Sequence, residues 1–182
     1  VDSRRSAAWQ VAAVVSCALG MGCKESMVTA PFMIVLYDRV FVFDSLKEGF
    51  QARWRFYAAL AVTWLELAAL MWTGPRIHSA GFSTGVQPWT YLLNQASMVV
   101  KYLRLSVWPR SLIIDYGTPL PLTLGDVMPQ ALSIVLLLLL VAAALAFRPK
   151  LGFLGAWFFV TLAPTSSIVP IATWVGAERR MY

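Results

Sequence analysis

Long apolar runs separated by short polar stretches dominate this chain. The runs fall at about 6–22, 27–43, 56–73, 127–147 and 151–163. Each except the last is close to the roughly 17–25 residues that a helix needs to cross a hydrocarbon core. The pattern predicts an all-α, polytopic membrane protein with about five transmembrane helices. The segment 87–107 differs, because Thr90, Asn94, Ser97, Lys101 and Arg104 recur at spacings of four, three, four and three. That spacing is one polar stripe on a helix, with Trp89, Leu92, Leu93, Ala96, Val99, Val100, Leu103 and Val107 opposite. It predicts an amphipathic helix lying in the outer interface of the membrane. The competing reading, a crossing lined by polar residues, would reverse the direction of everything downstream. With no Gly/Ser linker, charge block or internal repeat, residues 1–182 read as a single membrane domain.

Composition narrows the class further. A chain with 59% hydrophobic and 13% charged residues and a mean hydropathy of +0.66 does not make a water-soluble domain of this length. Several Trp and Tyr residues, including Trp9, Trp54, Tyr57, Trp72 and Trp108, stand near run ends, where an amphipathic ring meets both water and lipid. The net charge of +6 is spread between runs, which fits anionic lipid headgroups and argues against nucleic acid as a partner. Arg4, Arg5, Lys47, Arg53, Arg55, Arg148 and Lys150 sit in short segments at 1–5, 44–55 and 148–150, which are therefore expected to be cytoplasmic. Lys24, Arg76, Lys101, Arg104, Arg110, Arg179 and Arg180 would then lie on the outer side. Pro31 suits the first turn of the second span, while Pro164 and Pro170 are expected to break the last one. Cys17 and Cys23 have no Cys-x-x-Cys pattern and His78 is the lone histidine, so both thiols read as small fillers, not as zinc ligands or a disulfide. The opening at Val1, without an initiator Met or signal pattern, is expected of an internal piece of a longer protein.

Three polar clusters carry the candidate chemistry, and this threading puts all of them on one face. A charged side chain at a helix centre costs roughly 2.5–3.5 kcal/mol on insertion scales, so gathered charge in such a chain calls for a use. Lys24 and Glu25 form a tight hairpin between the first two runs, and they either meet a substrate or cap the turn as an ion pair. Lys101, Arg104 and Arg110 surround the Trp108-Pro109 helix stop and suit a phosphate; the plainer reading has them reaching lipid headgroups. Asp115 precedes Tyr116-Gly117-Thr118-Pro119, a turn sequence that would fix its carboxylate for a sugar hydroxyl or a cation, or use it within an Asx turn. Glu178, Arg179, Arg180 and Tyr182 form the third cluster. Glu66 stands alone in the third run and is expected to face the bundle as a hydrogen-bonded structural residue. His78, Asp44 and Asp126 read as loop residues, and Asp38-Arg39 as the cytoplasmic end of the second run.

Taken in order, GCKESMVTAPFMIVLYD, YLRLSVWPRSLIIDYG and LAPTSSIVPIATWVGAERRMY resemble the membrane part of the transmembrane and tetratricopeptide repeat family. That family contains protein O-mannosyltransferases of the GT-C fold, and the likeness is greatest to bacterial members. The resemblance covers nearly the whole chain. It implies an enzyme of the bacterial inner membrane that transfers a sugar, with inversion, from a polyprenyl-phosphate donor to a protein hydroxyl on the external face. It further implies that Lys24, Glu25, Arg104, Asp115, Glu178 and Arg179 line the site; read from the clusters themselves, Lys101, Arg110, Tyr116 and Arg180 join them as candidate substrate-binding residues. The family's catalytic acid would lie upstream of Val1 and its repeats downstream of Tyr182, so this piece alone should be inactive. Whether a divalent metal takes part is left open by the resemblance; any such ion would be shared with the missing acid. Two other classes fit the composition: a transporter or lipid flippase using Glu66, and a non-catalytic anchor presenting downstream repeats.

Overall fold

The computed structural model describes residues 3–73, 87–110, 113, 116–166 and 176, and at residues 3–5, 25 and 73 the backbone alone. Among the described residues all regular structure is helical, in the order α1 (Ser3–Cys23), a 3-10 segment (Glu25–Thr29), α2 (Ala30–Phe41), α3 (Leu46–Thr73), α4 (Pro88–Val107), α5 (Leu124–Phe147) and α6 (Pro149–Leu162).

Local chemistry explains the boundaries. Lys24 is extended, with φ −147° and ψ 122°, and so ends α1. The Met27 amide then donates to the Lys24 carbonyl at 3.0 Å and winds the next five residues as a 3-10 segment. This divides the 27–43 run, expected to be one span: its α-helical part is 12 residues, about 18 Å long. Pro31 stands in the first turn of α2, where its missing amide costs nothing. Ahead of α3, Ser45 Oγ accepts the Glu48 amide at 3.1 Å while the Glu48 carboxylate accepts the Asp44 amide at 3.2 Å. That cap starts the helix at Leu46, so most of the basic stretch expected as a loop at 44–55 is helical and bends into the apolar part at Arg53 (φ −131°, ψ 23°). Thr123 and Asp126 form a reciprocal capping box, which makes Asp126 the start of α5 where a loop residue was expected. α6 ends at Leu162, and the amides of Thr165 and Ser166 both turn back to its carbonyl, consistent with a break at Pro164.

Among the described residues two helices are long and apolar enough to cross a membrane, over Ser6–Cys23 and Leu124–Phe147, and Pro149–Leu162 is a shorter apolar helix. That is fewer than the five expected; the second run is split, and the last is a helix of 14 residues. Outward faces are apolar: Leu132, Leu136 and Leu139 of α5 are 59–63% exposed.

α2 runs antiparallel to α1 and α3, and α6 antiparallel to α5. Cys17, Met21, Phe56, Tyr57, Leu60 and Leu67 form the core between α1 and α3. Trp64 Nε1 donates to the Val28 carbonyl at 3.0 Å at one end of the α2–α3 pair, and Arg53 meets Asp38 at the other. Phe153 of α6 packs edge-on against Phe41, at the same end as Asp38. The α5–α6 hairpin closes around Gly152, where a Cβ would strike the backbone of Ala144 and Leu145. The start of α5, the end of α6 and the 3-10 segment with Lys24 therefore share one end of the bundle. Asp38, Ser45 and Arg148 mark the other.

Candidate functional site

α4 lies at the Lys24 end, against the first half of α5. Its polar stripe was expected to face water, and the structure corrects this at Asn94, which is 4% exposed; Thr90, Ser97 and Lys101 are half-buried, Arg104 is exposed, and Tyr91 and Tyr102 beside the stripe are fully buried. The chain following α4 folds back and covers that side. Asn94 Nδ2 donates to the carbonyls of Thr90 and Leu120, both at 2.8 Å, and its Oδ1 accepts the Leu120 amide at 3.1 Å. A buried amide that satisfies both main-chain groups of one residue pins that loop to the helix. Tyr91 OH similarly donates to the Thr165 carbonyl at 3.0 Å, tying the exit of α6 to the start of α4.

Farther along α4 the second and third clusters meet. The Tyr116 amide donates to the Gly176 carbonyl at 3.1 Å. Lys101 Nζ lies 3.7 Å from the centroid of the Tyr116 ring, a cation–π contact. Gly117 follows at φ +80°, a left-handed turn that favours glycine and sets the direction in which the loop leaves Tyr116. Gly176 approaches α4 so closely that a Cβ there would lie 2.7 Å from Met98 Sδ and 2.9 Å from Tyr102 OH. Lys101, Tyr116 and the glycine that opens GAERRMY are thus assembled on one patch of α4.

The other candidates are distributed as follows. Arg104 is exposed one turn beyond Lys101, and Arg110 stacks on Trp108 with its guanidinium carbon 5.4 Å from the ring centroid. Lys24 is exposed at the same end of the bundle. Asp115, Glu178, Arg179 and Arg180 lie outside the described residues, as do His78 and the side chain of Glu25. Among the described residues no three His, Cys, Asp or Glu side chains come together, so these residues alone offer a divalent ion no ligand set.

An apolar groove of about 300 Å³ runs between α4 and α5, bounded by Trp89, Leu92, Val99, Leu124 and Val135, with Gln95 and Ser166 as its polar lining. Nothing in the stripe pattern pointed to it, because it is formed by the face of α4 expected to meet lipid. At the opposite end of the bundle, Asp38 is 3% exposed and holds Arg53 and Tyr57, where a simple helix end was expected.

Glu66 requires a correction. It was expected to face the bundle, yet it is exposed on the outer side of α3, while Thr63 and Leu67 turn inward. The reason is geometric: α1 and α2 cover one side of α3, and Glu66 falls on the other.

No family model, curated protein or solved structure matches this chain significantly.

Proposed function

We propose that this chain is the membrane part of a glycosyltransferase that moves a sugar from a polyprenyl-phosphate donor to a protein hydroxyl. The observation that carries this reading is the seam between the second and third clusters, where Tyr116 bonds Gly176 beside the Lys101 ammonium. Clusters separated by some sixty residues have no reason to share a patch of one helix in a simple anchor. The groove between α4 and α5 suits an isoprenoid tail in character and size, since it is apolar and about 300 Å³. Lys101, Arg104 and Arg110, near its far end, suit the phosphate.

On this reading the fold is a polytopic helical bundle with α4 at the external interface, and the site faces outward. The acceptor oxygen bonds to the anomeric carbon as the bond from that carbon to the phosphate oxygen breaks. The leaving phosphate keeps the electron pair and is met by the cations, which stabilise the charge as it develops. The hydroxyl proton passes to a carboxylate, which the family resemblance expects upstream of Val1. Glu25, Asp115, Glu178, Arg179 and Arg180 would complete the walls of the pocket.

Transport is the reading it competes with, and it would use Glu66 on an internal path. Glu66 on the outer face of α3 favours transfer instead. The test is transfer of labelled mannose from polyprenyl-phosphate mannose in membranes holding the full-length protein. Arg104→Ala or Asp115→Asn should lower transfer on the order of a hundredfold with the protein still in the membrane. Unchanged transfer in both variants would remove these residues from the site.

A further inference from the structure

The outer side of α3 displays Ala58, Val62, Leu65, Glu66, Ala69 and Trp72, all exposed and all on one helical stripe. Trp72 is 85% exposed, Leu65 69% and Val62 60%, so the surface around the carboxylate is thoroughly apolar. Among the described residues, no hydrogen bond or ion pair reaches Glu66. In water such a face would be an ordinary blemish. On the polytopic reading proposed above, on which this inference rests, α3 lies in the membrane and sets an ionisable group against lipid, and such groups are met by protein partners instead.

We infer that this face is a docking surface for a separate membrane-spanning helix carrying a single arginine or lysine near its centre. Charge complementarity selects the occupant. The outward faces of the two candidate spans offer a second copy no cation, since they carry Val11, Val15 and Leu19 on α1 and Leu132, Leu136 and Leu139 on α5. The stripe supplies the rest of the fit: Ala58 and Ala69 are small residues on either side of the carboxylate, and such residues let helix backbones approach closely in a bilayer.

The test uses the full chain in phosphatidylcholine vesicles, labelled with a fluorescent donor. The probe is a synthetic Leu/Ala helix of roughly 20 residues with one central Arg and an acceptor label. Energy transfer should show the Arg peptide binding wild type about tenfold more tightly than Glu66→Leu, the scale of one polar contact between helices in a bilayer. Glu66→Gln should fall between them, and a peptide with Leu in place of Arg should bind all three alike and weakly. Circular dichroism of each variant checks that the helices are retained. Equal binding of the Arg peptide to wild type and Glu66→Leu overturns the inference. So does self-association of labelled chains that depends on Glu66 without any peptide, which would make a second copy the occupant. Loss of the wild-type chain from vesicles in alkaline carbonate would instead show that the membrane reading had failed, and this inference with it. Intact retention with no Glu66-dependent peptide binding leaves that reading standing and removes this one alone.

Discussion

Arg53 reaches across the α2–α3 turn to Asp38, with Nη1 3.0 Å from both carboxylate oxygens. Tyr57 OH donates to Oδ2 of the same carboxylate at 2.7 Å, so Asp38 is held by an ion pair and a phenol from one helix. Arg53 is also the residue at which α3 bends, and its guanidinium lies 5.2 Å from the centroid of the Phe43 ring. Removing Arg53 would leave a buried carboxylate with only a phenol to face. Arg53→Ala should therefore destabilise the bundle by about 3 kcal/mol, and Asp38→Asn by less, since it removes the charge while keeping an acceptor for Tyr57. Denaturant titration of the purified protein in detergent, followed by circular dichroism, reads the difference; equal losses would contradict the assignment.

Asn94 gives a second, independent prediction at the other end of the bundle. Its amide supplies two donated hydrogen bonds and accepts one, all to main-chain groups. Asn94→Asp keeps the shape but replaces the donor with a second acceptor aimed at the carbonyls of Thr90 and Leu120. It should cost more than Asn94→Ala, which itself should cost about 1–3 kcal/mol for the stranded main-chain groups. Protease cleavage within 116–122 should become faster in both variants and fastest in Asn94→Asp.

Much of this fold is legible along the chain, for identifiable reasons. α1, α4, α5 and α6 follow from apolar runs and one polar stripe because their boundaries are set locally, by Pro-rich stops and by caps such as Thr123-x-x-Asp126. The Thr123–Asp126 cap itself reads as loop until the structure shows it. What the pattern does not contain is which side of a helix another helix will cover. Asn94 reads as a wet-face residue until the loop around Leu120 folds onto it, because a main-chain partner leaves no mark on the sequence. Glu66 reads as inward because lipid disfavours it, whereas α1 and α2 claim the opposite side of α3. Asp38 and Arg53 belong to different helices, and no spacing rule joins them. At the candidate site, Lys101 and Tyr116 are legible as parts of one motif. Their meeting with Gly176 depends on a main-chain carbonyl from the far end of the chain.

The close approach at Gly176 can be tested without an activity assay. A methyl group there would lie 2.7 Å from Met98 Sδ and 2.9 Å from Tyr102 OH, so one of them has to move. The thioether can swing and the buried phenol cannot easily do so. Gly176→Ala should cost about 1–2 kcal/mol, the usual scale of overpacking, and Met98→Ala in the same chain should recover part of it. Additive losses in the double variant, measured by denaturant titration, would mean that the two residues do not meet.

Gly152 and Gly22 form a matched pair, since both sit in or at the end of helices and only one is crowded. A Cβ at Gly152 would meet the Ala144 carbonyl carbon at 2.7 Å, which is backbone and cannot rotate away, so α6 would have to withdraw from α5. A Cβ at Gly22 meets nothing within 4 Å. Gly22→Ala should then be neutral or gain up to about 1 kcal/mol from helix propensity. Gly152→Ala should lose about 1–3 kcal/mol, because separating the hairpin gives up contacts along its whole seam, including Gly155 against Val141. A thermal melt of both variants in the same detergent compares them directly. If Gly152→Ala melted no lower than wild type while Gly22→Ala was unchanged, the tight α5–α6 crossing at Gly152 would be wrong.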